Sequence, residues 1–124
     1  MIEWQPDATS KESSMALEHA APGEPRDVRP FGAALAEQKT AAIFKSRQLE
    51  VMRLVLRAGR KLPPHKVPGE ITIQCIEGTM VVGMESGARR LEPGQILFLK
   101  GNEMHDVVAE SDASALVTIV LRDG

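Results

Sequence analysis

The chain has 124 residues, 43% hydrophobic and 26% charged, with 15 Lys+Arg against 17 Asp+Glu and a formal charge of −2. This is the composition of one small globular domain, and its 3% aromatic content without a single Tyr excludes a basic, ring-lined groove for single-stranded nucleic acid. No apolar run exceeds four residues, as in Ile96-Leu97-Phe98-Leu99, far short of the roughly 20 residues of a membrane-spanning helix, and Met1-Ile2-Glu3-Trp4 does not resemble a secretory signal, so a cytoplasmic protein is expected.

Residues 1–27 are rich in Ala, Glu, Pro, Ser and Gly, show no sustained apolar period and read as a flexible tail. Texture changes after Met15, which could serve as an internal start and leave residues 1–14 outside the native product. The folded domain is expected over 28–124. Phe31 and Leu35, four apart, allow a short helix between Phe31 and Ala42, with Gly32 against it.

Beyond Thr40 the pattern turns to short aliphatic and β-branched runs separated by turn residues. Leu49 to Arg57 alternates, with Met52, Leu54 and Leu56 on one face and Arg53 and Arg57 on the other, as in a strand with one buried side. Ile71 to Glu77 and Thr79 to Met84 follow, and Glu85-Ser86-Gly87 supplies a hairpin loop. Ala88 to Leu91 returns, Pro93-Gly94 turns, Ile96 to Lys100 runs straight, and Gly101-Asn102 turns again. His105 to Glu110 and Ala115 to Arg122 complete about eight strands after residue 40. So many antiparallel strands must hide their edges in an all-β barrel or a two-sheet jelly roll.

Gly-x-Ser-x-Gly, His-Glu-x-x-His, Walker and dinucleotide fingerprints are all missing from the sequence. Two histidines remain in the folded part, His65 and His105, each beside a Gly/Pro-rich or Asn-containing turn where sites tend to form. Cys75 is the only Cys, so it forms no internal disulfide and no CxxC pair, in keeping with a reducing compartment. It reads as a core residue rather than a nucleophile. Arg57, Arg60-Lys61 and Arg89-Arg90 read as solvated faces, and His19 as exposed tail.

Residues 49 to 121 resemble a single-domain bacterial cupin of the RmlC-like type. The family's first motif runs Gly, five residues, His, one, His, three or four, Glu, six, Gly, and the matching positions are Gly59, His65, Val67, Ile71 and Gly78. The second runs Gly, five, Pro, one, Gly, two, His, three, Asn, matched by Gly94, Lys100, Asn102, His105 and Ala109. The resemblance implies a double-stranded β-helix, or jelly-roll barrel, with a short irregular or helical N-terminal extension. It also implies a divalent metal (Fe, Mn, Ni, Cu or Zn) held by three His and one Glu, of which only His65 and His105 are present. Val67 and Ile71 cannot ligate. Glu70, Gln74, Glu103 and Met104 are the nearby substitutes.

In an unbroken strand from Ile71, odd-numbered side chains face the pocket and Thr72 and Gln74 face away, whereas a bulge would bring Gln74 in. The candidate pocket residues are therefore His65, Val67, Ile71, Ile73, Gln74, Cys75, Met104 and His105. Two functions follow. One is a module that binds a small organic molecule between an apolar interior and two imidazoles. The other is an oxygenase or isomerase of a small metabolite, using a metal on His65 and His105 with substitute ligands, or a His acting alone as acid or base. The Val67 and Ile71 pair favours the first. The resemblance further implies a homodimer, with the apolar strand Ala115 to Leu121 and the segment Ala41 to Phe44 as the expected contact elements.

Overall fold

The computed structural model describes residues 19–121. After a 3-10 helix, Gly32–Glu37, the chain forms β1 (Ala41–Lys45), β2 (Leu49–Leu56), β3 (Lys61–His65), β4 (Ile71–Glu77), β5 (Met80–Met84), β6 (Gly87–Leu91), β7 (Ile96–Leu99), β8 (His105–Ala109) and β9 (Ala113–Val120). They build two antiparallel sheets, one in the order β1-β2-β9-β4-β7 and the other β3-β8-β5-β6. This is the expected all-β jelly roll.

Alternation dictates which side chains meet between the sheets. Met52 and Leu54 of β2, Ile71, Ile73 and Cys75 of β4, and Val117 and Ile119 of β9 face Met80 and Val82 of β5 and Val107 of β8 in one buried cluster. Ala109, Ala113 and Ala115, all at most 1% exposed, are the small side chains of that layer.

Two strands were not expected. Pro63 and Pro64 mask β3 in the sequence, because Pro cannot donate to a ladder. The structure accommodates them at a sheet edge, where the pairing with β8 shifts register between Leu62 and His65. His65 therefore ends a strand instead of opening one. The segment Ala41–Lys45 is an edge strand on β2 of its own chain, with a register shift between Ala42 and Phe44. The helix is shorter than the stretch to Ala42, since Gln38 is already extended at ψ 158°.

Gly78 illustrates the turn chemistry. Its φ of +75° is costly for a side-chain-bearing residue, and a Cβ there would run into the carbonyl oxygen of Asp112 and into Ala113.

Candidate functional site

The register of β3 and β8 places His65 directly opposite His105, and that of β5 and β8 places Met84 on the other side of His105. Residues paired in register share a face, so Met84, His105 and His65 form a row across three adjacent strands at one end of the barrel. The two imidazole centroids lie 4.4 Å apart with their planes tilted by 59°.

Each ring is held by its own backbone. His65 Nδ1 bonds the Pro63 carbonyl at 2.8 Å, and His105 Nδ1 bonds the Glu103 carbonyl at 2.9 Å. A carbonyl only accepts, so both Nδ1 atoms carry the proton and both Nε2 atoms present a lone pair. His65 Nε2 is buried with no hydrogen-bond partner among the described residues. Burial pushes His105 below the usual histidine range, and the neighbouring His65 adds to that shift against the opposing pull of the Glu103 carbonyl, Asp106 and Glu103. With the proton held on Nδ1, a neutral ring here presents its Nε2 as an acceptor.

Behind His105 lies a cavity of about 110 Å³ walled by Met52, Leu54, Leu56, Leu62, Ile71, Ile73, Val107, Val117 and Thr40. Thr40 Oγ contributes no free group to it, being engaged with both the N–H and the carbonyl of Val55 at 2.9 and 3.2 Å. On its other side His105 borders an open cleft of about 450 Å³ with Pro64, Met84, Gly87 and Met104.

The structure thus brings His105, Ile71 and Ile73 onto the wall of one cavity, with Met104, 41% exposed, on the rim of the cleft, while His65 packs against the His105 ring and lines neither the cavity nor the cleft. Val67 is buried in the core beside it and is not on the cavity wall. Gln74 lies elsewhere. The register shift in β4 falls between Cys75 and Glu77, too late to turn Gln74 inward, so its partners in register are Ile96 and Leu116 on the outer face. Cys75 faces inward but at the far end of β4, where its thiol bonds the Gly78 carbonyl at 3.3 Å and burial pushes its pKa up. The cavity wall from Met52, Leu54 and Leu56 was legible as the buried face of one strand, although nothing in the sequence tied it to the histidines. Met84 and Leu62 had no such signal.

The donor set does not fit the metal that the resemblance implies. Val67 and Ile71, which occupy two ligand positions, are 4% and 2% exposed and purely apolar. Glu70 is exposed, and Glu103 accepts from the Glu85 N–H at 3.3 Å. Among the described residues no three of His, Cys, Asp and Glu converge, whereas a stable divalent site wants three or four protein ligands.

No family model matches the sequence, and no curated protein matches it. Solved structures do. A cupin superfamily protein from Desulfitobacterium hafniense aligns with a TM-score of 0.68 over 78% of this chain and 94% of its own at 14% identity. The chain has a cupin fold. An RmlC-like cupin from Desulfovibrio desulfuricans gives a TM-score of 0.66 at 22% identity, covering 78% of this chain and 97% of its own. A conserved protein of unknown function from Streptococcus pyogenes gives 0.69 at 16% identity, over 88% and 99%. On this cupin fold the two motif histidines are present, while apolar side chains fill the other two ligand positions. No helix among the described residues is long and apolar enough to cross a membrane.

Proposed function

We propose that this cupin is a binding module that takes a small organic molecule into the two-histidine pocket. The observation that carries the reading is the buried, unpartnered Nε2 of His65 beside His105 and its apolar cavity. An acceptor shut off from water without a partner is costly, so the arrangement is favourable only when something donates to it. Apolar walls with a few polar groups are the general make-up of a small-molecule site. A panel of small neutral and anionic organic fragments, titrated by ligand-observed NMR, tests the reading. Saturable binding of at least one fragment that disappears in Ile73→Phe, which fills the cavity, is expected, and no binding at millimolar concentration would overturn it.

The same reading makes the protein a homodimer, joined through the outer face of the larger sheet. That face carries Ile96 and Phe98, 58% and 60% exposed, together with Leu49 and Val120. Gln74 stands among them, its side-chain amide without a hydrogen bond to another described residue, and an amide, both donor and acceptor, can pair with its own copy across a two-fold axis. Of the expected contact elements, Ala115 to Leu121 offers this face through Val120, while Ala41–Lys45 pairs along one edge with β2 of its own chain. Sedimentation should show a dimer at micromolar concentration that Phe98→Glu converts to a monomer; a wild-type monomer would refute it.

A further inference from the structure

We infer that the occupant of this pocket is a compact, uncharged molecule with a single hydroxyl, such as a phenol or a small alcohol, whose O–H donates a hydrogen bond to the His105 Nε2. The inference rests on the reading that the pocket binds small molecules, and it goes further by fixing the chemistry of the ligand.

The argument is one of counting polar groups around the cavity. Its wall has eight aliphatic or thioether side chains and two polar ones, Thr40 and His105. The Thr40 hydroxyl is satisfied by the Val55 backbone in both directions. The imidazole N–H groups are spent on the Pro63 and Glu103 carbonyls. No Lys or Arg lines the cavity or the cleft beside it. What the site offers a ligand is therefore acceptors alone.

Each common class of ligand can be matched against that offer. A carboxylate or phosphate would bring acceptors to acceptors, with no cation to neutralise it. A sugar or other polyol would strand several hydroxyls against hydrocarbon. A pure hydrocarbon suits the wall but leaves the His105 Nε2 without a donor. One hydroxyl on an apolar body meets both demands. Burial pulls the His105 pKa down, which favours the neutral ring and its acceptor.

Size agrees with this. An engineered apolar cavity of roughly 150 Å³ takes up benzene. The cavity here, about 110 Å³, holds a ring or branched chain of similar or slightly smaller bulk, with its hydroxyl directed to His105.

The test is isothermal titration of the full chain with phenol, toluene, benzoate and glycerol at pH 7.5. Phenol and toluene have the same shape and differ in the donor. The inference expects phenol to bind at least tenfold more tightly than toluene, and benzoate and glycerol not to bind. His105→Phe should abolish the preference for phenol over toluene, and His105→Leu serves the same purpose if that variant does not fold. Toluene or benzoate binding as tightly as phenol would overturn the inference while leaving the pocket in place. Failure of all four to bind would overturn the inference together with the reading beneath it.

Discussion

Glu77→Ala removes the centre of the one buried ion cluster among the described residues. The register shift between Cys75 and Glu77 turns Glu77 onto the outer face of the larger sheet, opposite Ser114. Its carboxylate accepts from Ser114 Oγ at 2.5 Å, from the Phe31 and Gly32 N–H groups at 3.0 Å each, and from Arg53 at 3.3 Å. Arg53 in turn donates to the Arg29 carbonyl at 2.8 Å and lies under the Phe31 ring, its guanidinium carbon 4.1 Å from the centroid. The cluster fastens the 29–32 segment to the sheet. The side chains of Arg53 and Glu77 are 6% and 14% exposed, so the alanine variant strands a charge that water cannot easily reach. Breaking such a pair costs about 3 kcal/mol. For a domain of this size that lowers the melting temperature by about 12–24 °C. Thermal and urea denaturation would read it, with Arg53→Met/Glu77→Ala recovering part of the loss, because the stranded guanidinium leaves while Ser114 and the Phe31 and Gly32 N–H groups stay without their acceptor. A loss below about 1 kcal/mol, or a double variant as unstable as the single, would refute the reasoning. The pH dependence has a defined sign. Burial raises the Glu77 pKa, but Ser114, the two N–H groups and Arg53 outweigh it and leave it below the usual carboxylate value. Its contribution is therefore present above the unfolded carboxyl pKa and is lost as pH falls through the folded one, so wild type and Glu77→Gln should converge in stability in acid.

Cys75, 1% exposed and with its pKa raised by burial, should resist a thiol reagent such as DTNB in the native state and react fully in denaturant; rapid native labelling would contradict its placement. The depressed pKa of His105 means that the unfolded chain takes up a proton before the folded one does. Stability should therefore fall as pH drops from the unfolded histidine value toward the lower folded one, and His105→Phe should flatten that part of the profile. A profile unchanged by the substitution would refute the assignment.

Much of the barrel was legible because its strands obey period two between strong turn residues. Leu49 to Arg57 and Ile71 to Glu77 show this best, and their buried faces are the ones their alternation indicates. β3 was hidden because its identity depends on being at an edge, a tertiary fact that the Pro63-Pro64 pair conceals. The two histidines were visible as candidates by type and position. Their shared tautomer was not, since it depends on the folded positions of the Pro63 and Glu103 carbonyls. The role of Glu77 was equally hidden. In an unbroken strand it would face the core with Cys75, and only the irregularity after Cys75 turns it toward Arg53.

The most direct test of the two-acceptor pocket is nitrogen-resolved NMR of the imidazoles at pH 7.5, with and without phenol, assigned through His65→Phe and His105→Phe. The structure predicts that both rings carry a proton on Nδ1, and that phenol shifts the Nε2 signal of His105 while leaving its Nδ1 in place. An Nδ1 without its proton in either ring, or a His105 Nε2 signal indifferent to phenol, would contradict the account.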